Sequence, residues 1–122
     1  MGTFTVTIEI GDPQGQRFEE VEALVDTGAT LTIVPASLLR RLGVTPRRRA
    51  AFRLADGSLV EMDIGITIVR VGGLETSTSV VFGDEGRALL GVLTLEDLFL
   101  GVDPVRKRLF PVEGLLMAEQ GH

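Results

Sequence analysis

Residues 3–10 alternate Phe4, Val6, Ile8 and Ile10 with Thr3, Thr5, Thr7 and Glu9, the period-two signature of a strand with one buried face. Residues 11–15, Gly-Asp-Pro-Gln-Gly, carry turn chemistry, and 17–25 pairs back as the second arm of a hairpin. Residues 32–35 form a short strand. Residues 36–43 then read as a two-turn helix, with Leu38, Leu39 and Leu42 on one apolar face. Pro35 stands just before it, where a missing N–H costs nothing, and Gly43 suits its C-cap.

Farther on, 45–51 reads as a loop carrying Arg47, Arg48 and Arg49, the only block of like charge, which an acidic chain leaves to solvent. Two apolar-rich runs, 52–54 and 59–71, flank Ala55-Asp56-Gly57-Ser58. Asp-Gly between such runs signals a hairpin. Gly72 and Gly73 turn the chain into another strand at 76–82, and 83–86 interrupts it before Ala88-Leu89-Leu90-Gly91. Residues 93–100 place Leu95, Leu98 and Phe99 on one helical face, with Thr94 as N-cap, Asp97 three residues on, and Gly101 as the stop. A last strand at 106–112 is broken by Pro111. The sum is an all-β chain of about seven or eight short strands with one or two short helices.

One tripeptide carries chemistry. Asp26-Thr27-Gly28 occurs once, between Val21, Ala23, Leu24 and Val25 on one side and Leu31, Ile33 and Val34 on the other. Asp-x-Gly is also ordinary turn chemistry, so the tripeptide alone leaves a plain turn open. Its setting at the mouth of two apolar strands is where a carboxylate is reachable yet partly desolvated, and Gly28 frees the backbone for close approach. Aspartic-protease chemistry needs two carboxyls sharing one proton. A chain with one copy must obtain the second by pairing with itself.

Three landmarks in order resemble the retroviral-type (retropepsin-like, clan AA) single-domain aspartic proteases: Asp26-Thr27-Gly28-Ala29-Thr30, the hairpin-like stretch around Ala55-Asp56-Gly57-Ser58, and Ala88-Leu89-Leu90-Gly91 before a helix-like run. The resemblance spans about residues 3 to 112. It implies a retropepsin-like closed β barrel with one active-site half per chain, a homodimer, and hydrolysis of an extended peptide or protein by water activated between two Asp26 carboxyls. By the same resemblance, Thr27 hydrogen-bonds across the twofold axis, Gly28 admits the substrate backbone, and Ala29 and Thr30 line inner subsites. Leu54, Ala55, Asp56, Gly57 and Ser58 form the flap over the substrate, while Leu89, Leu90 and Gly91 support the loops from beneath without direct chemistry.

Composition narrows the field. The 122 residues, 44% hydrophobic, suit one domain with one core; six Phe with neither Trp nor Tyr leave that core to Val, Leu and Ile. A formal charge of -5 argues against nucleic-acid binding. With no Cys and one His at the final position, no disulfide framework, thiol chemistry, metal site or cofactor is expected. No apolar run reaches about eighteen residues and no signal-like segment opens the chain, so no membrane partner and a cytoplasmic location are expected. Residues 118–122 are polar and expected to fray. Two other readings stay beside the protease: the same fold as a non-catalytic dimeric peptide-binding or scaffolding module, and an unrelated small β barrel in which Asp26 occupies a turn.

Overall fold

The computed structural model describes residues 3–114; the expected fraying at 118–122 lies outside them. The elements are β1 (Phe4–Gly11), β2 (Phe18–Val25), β3 (Thr32–Pro35), α1 (Ala36–Arg41), β4 (Arg48–Arg53), β5 (Leu59–Val71), β6 (Leu74–Gly83), β7 (Ala88–Leu90), α2 (Val92–Asp97), β8 (Leu100–Asp103) and β9 (Arg108–Pro111).

Hydrogen bonding runs β1-β2-β7-β3-β6-β5, and β5 returns to β1 through Glu9 opposite Arg70 and Ile10 opposite Val69. Six strands therefore close a barrel, as expected, with no free edge within the ring. β4 extends it by pairing only with the first half of β5, and β8–β9 forms a separate two-stranded hairpin. Among the described residues the count is nine strands rather than seven or eight.

The alternation read in β1 holds: Ile8 and Ile10 are fully buried. They meet Ala23 and Val25 of β2, Val34 of β3, Val69 of β5, Val80 of β6 and Leu90 of β7 in one core, which α1 closes with Leu39 and α2 with Leu95 and its C-cap residue Leu98. Aliphatic burial of this kind is the main stabilising term for a domain of this size. Gly43 takes a φ of 80° after α1 and donates its N–H to Arg40 O at 3.0 Å, the left-handed ending that glycine permits.

Four local readings are corrected. The arginine block lies partly in strand: β4 begins at Arg48, and Arg49 pairs with Asp63 across the ladder through a 3.0 Å ion pair. Paired charges make a highly charged strand tolerable at a sheet edge. Next, α2 stops at Asp97, not Leu100, because Phe99 adopts a φ of 58° and its N–H turns back to Glu96 O. Gly101 is thus no helix stop; it sits in β8 opposite Phe110, where a Cβ would come within 2.8 Å of that ring. Finally, Thr94 is not the N-cap. Gly91 holds that place, and Thr94 is buried inside α2. The last strand is also shorter than 106–112, since Arg106 and Lys107 belong to the preceding turn, and Pro111 closes it opposite Leu100, a strand-end position that needs no ladder N–H.

Candidate active site

The order of strands places Asp26. β7 lies between β2, to which it runs parallel, and β3, to which it runs antiparallel. The 26–31 connection must therefore cross the C-terminal end of β7, where α2 begins. Val25 pairs with Leu90 in the last register position of β2, so Asp26 is the first residue to leave the sheet.

Its backbone is fixed at once. Asp26 N–H donates to Leu90 O at 3.3 Å, and Asp26 O accepts from Ala29 N–H at 3.0 Å. The side chain is half-buried, and its Oδ1 accepts the Gly28 N–H at 2.9 Å. A Cβ at Gly28 would sit 3.2 Å from that oxygen, so glycine lets the chain wrap the carboxylate without pressing on it. Among the described residues no ion pair engages Asp26. The carboxylate borders an open surface pocket of about 580 Å³, lined by the Asp26–Gly28 turn with Thr3, Val102 and Pro104.

The amides at the start of α2 lack partners within the helix, as at any helix N-terminus. Here they face the loop above: Val92 N–H donates to Ala29 O at 2.9 Å, and Leu93 N–H to Thr30 O at 3.0 Å. Gly91 N–H donates to Thr32 Oγ1 at 3.1 Å. Loop and helix are thus joined by consecutive bonds, and the loop carbonyls gain partners.

The other residues singled out in the sequence divide into groups. Thr27 and Thr30 are exposed and Ala29 is half-buried. Leu90 is fully buried in the core, whereas Leu89, on the opposite face of the strand, is half-buried, lies outside that core and pairs with Ile33. Leu54, Ala55, Asp56, Gly57 and Ser58 form the tip of the β4–β5 hairpin, all exposed. Gly57 N–H donates to Leu54 O at 2.9 Å with a Gly57 φ of 89°, a tight turn followed by a left-handed glycine. Asp56 Oδ1 accepts both Ser58 Oγ–H at 2.6 Å and Ser58 N–H at 2.9 Å. Those two bonds, the hydroxyl first, hold the Asp56 carboxyl below its ordinary range. None of these five residues lines the pocket beside Asp26 within the single chain.

The sequence reading passes over Thr32 and Thr78 and takes Thr94 for a helix cap. Thr32 and Thr94 are fully buried, and Thr78 nearly so. Thr94 Oγ1 lies 2.6 Å from Thr32 Oγ1 and 3.3 Å from Thr78 Oγ1. The signal was present: Thr32 is in phase with inward Val34, and Thr94 interrupts an otherwise apolar helical stripe with Leu95 and Leu98. Hydroxyls in such positions need partners. Among the described residues, no cluster of three or more His, Cys, Asp or Glu side chains could hold a metal ion, and no helix is long and apolar enough to cross a membrane.

Comparison with known proteins agrees with this geometry. The solution structure of the simian foamy virus (mac) protease superposes with a TM-score of 0.56 at 22% identity, covering 76% of this chain and 92% of that one; at this identity the likeness concerns the fold. No curated protein sequence matches. The family model described as "gag-polyprotein putative aspartyl protease" matches residues 15–97, from the first hairpin through Asp26 to the end of α2. That match spans more than half of the 122 residues, and the chain belongs to this retropepsin-like aspartyl protease family.

Proposed function

We propose that the protein is an aspartic endopeptidase whose active site forms when two chains pair and each contributes Asp26. The observation that carries the reading is the placement of Asp26: a half-buried carboxylate at the end of β2, wrapped by its own Thr-Gly turn and bordering an open pocket. In this reading the catalytic unit is the single domain of residues 3–112, and twofold pairing presents the same surface on both copies.

Two carboxylates a few ångströms apart do not both ionise at low cost, so the pair holds one proton and titrates as a unit. The ionised carboxyl takes a proton from a bound water, and the water oxygen attacks the scissile carbonyl carbon. The protonated carboxyl gives its proton to the carbonyl oxygen, leaving a neutral tetrahedral diol. Collapse of the diol returns a proton to the leaving nitrogen as the C–N bond breaks, and no covalent link to the enzyme forms. Thr27, exposed beside Asp26, bonds across the axis in this arrangement. Gly28 leaves room for the substrate backbone, with Ala29 and Thr30 beside it.

The β4–β5 hairpin serves as the flap. Its exposed Leu54 and Leu59 flank the tip, and closure over an extended peptide pairs strand to strand and excludes water from the carboxyls. The Ser58 bonds to Asp56 support a structural role for that carboxylate within the tip. Leu89, half-buried outside the core, and Leu90 and Gly91 hold the loop from beneath.

Cleavage of a mixed peptide library, read by mass spectrometry from about pH 4 to 7 with wild type beside Asp26→Asn, tests the proposal. Cuts made by wild type and absent from the variant support it. A dimer that binds peptides but cuts none points to the peptide-binding module instead.

A further inference from the structure

Thr94 lies one layer beneath the loop that carries Asp26. Its hydroxyl joins three elements: α2, which contains it; β3, through Thr32 Oγ1 at 2.6 Å; and β6, through Thr78 Oγ1 at 3.3 Å. The Thr32 oxygen also accepts the Gly91 N–H at 3.1 Å. No buried side-chain nitrogen or oxygen among the described residues lacks a partner, so the network is complete in itself. Such a network, in low-dielectric surroundings, favours one arrangement of the groups it joins.

That arrangement fixes the far end of the loop that carries Asp26. The α2 amides of Val92 and Leu93 donate to Ala29 O and Thr30 O, while Leu90 O, at the end of β7, accepts from Asp26 N–H. Rotation or sliding of the short α2 would carry the Ala29 and Thr30 bonds with it and pull the loop against the Asp26 bond that β7 holds. Packing alone leaves such freedom: α2 has only six residues, and Leu95 is its one fully core-facing aliphatic residue within the helix itself. The hydroxyl of Thr94 supplies the directional restraint that an apolar side chain of the same shape would not.

We propose that Thr94 is a positioning residue for Asp26: its buried hydroxyl, bonded to Thr32 and Thr78, locks the first turn of α2, whose backbone amides hold the 26–30 loop in register. The inference rests on the reading of Asp26 as one half of a catalytic pair. It assigns Thr94 no contact with substrate.

The test uses the full chain in four forms: wild type, Thr94→Val, Thr94→Ser and Thr94→Ala. Valine keeps the shape and removes the hydroxyl; the serine–alanine pair isolates the hydroxyl in a common smaller volume and serves should valine not fold. Loss of registration is expected to lower kcat about 10- to 100-fold in Thr94→Val and Thr94→Ala with KM within about twofold, since substrate-binding surfaces are untouched. Thr94→Ser is expected to stay near wild type. The two limbs of the pH–rate profile should draw together in the variants lacking the hydroxyl, because carboxyls held less closely influence each other's titration less. A role confined to stability would not move that profile.

A second readout needs no catalysis. Amide exchange at Gly28, Ala29, Val92 and Leu93, normalised to global stability, should quicken by at least about tenfold in Thr94→Val or Thr94→Ala. If those variants keep wild-type exchange at these amides, or if serine behaves as alanine does, the proposal is overturned. So it is if wild type cleaves and Thr94→Val cleaves with the same kcat and profile. Absence of cleavage by wild type together with quickened exchange would instead remove the protease reading and leave the restraint standing.

Discussion

Gly91 and Leu31 approach more closely than any side chain would allow: a Cβ on Gly91 would lie 2.6 Å from both the carbonyl carbon and the carbonyl oxygen of Leu31. Both obstructing atoms are backbone, so no rotamer change relieves the clash. Gly91→Ala must therefore lift the 26–31 loop off α2. We expect a loss of about 1–3 kcal/mol of stability, as for overpacked interiors, measured by urea unfolding, and loss of peptide cleavage in the fraction that remains folded.

Leu89 and Leu90 are neighbours with opposite fates. Leu90→Ala empties a fully buried core position and should cost about 2–5 kcal/mol. Leu89→Ala, outside that core, should cost far less and leave the side-chain preference for peptide substrates unchanged, as for a residue that only supports the loop. Denaturant melts and library cleavage on the two variants, side by side, check the division.

Much of the fold is legible in the sequence. The strict alternation of β1, the apolar run ending at Asp26 and the Asp-Gly hairpin are local signals, and each element appears where its pattern puts it. Pairing order is not local. That β7 inserts between β2 and β3, and so holds Asp26 from beneath, depends on contacts between residues more than fifty positions apart. Thr94 was misread for the same reason. A threonine early in a helix suggests a cap, and only the tertiary position of Thr32, 62 residues away, turns its hydroxyl inward. The end of α2 was misplaced because Phe99 takes a left-handed conformation unusual for an aromatic residue.

At the hairpin tip, Asp56 Oδ1 is bonded twice by Ser58. Asp56→Ala removes both bonds at a solvent-exposed site, so global stability should change by no more than about 0.5 kcal/mol. Order within the tip should fall, with faster amide exchange at Gly57 and Ser58 and a raised KM for peptides. An unchanged KM would separate the tip from substrate binding.

Stability should decline toward acid. Asp12 is held below its ordinary range, first by the Arg17 backbone N–H and also by that of Gln16, against an opposing contribution from burial. Glu19 is lowered chiefly by the Arg41 side chain, Glu85 by the Ser37 hydroxyl, and Asp103 by the Arg106 backbone N–H. For each, the folded state has the lower pKa, so the unfolded chain binds more protons as pH falls. The stability they add is complete above the unfolded carboxylate values near 4 and is lost as pH drops through the folded ones. Thermal melts from pH 7 to 3 should show this slope, and Asp12→Asn, which keeps an acceptor oxygen but not the charge, should reduce it.

The central claim is that two chains each supply one Asp26, and subunit mixing tests it most directly. Wild type is incubated with an equal amount of Asp26→Asn, labelled to confirm exchange, and peptide cleavage is followed. Random pairing leaves about a quarter of dimers with two Asp26 side chains, so total activity should fall to about half that of the same wild-type amount alone. Activity that stays constant while the label shows exchanged subunits would contradict a shared site.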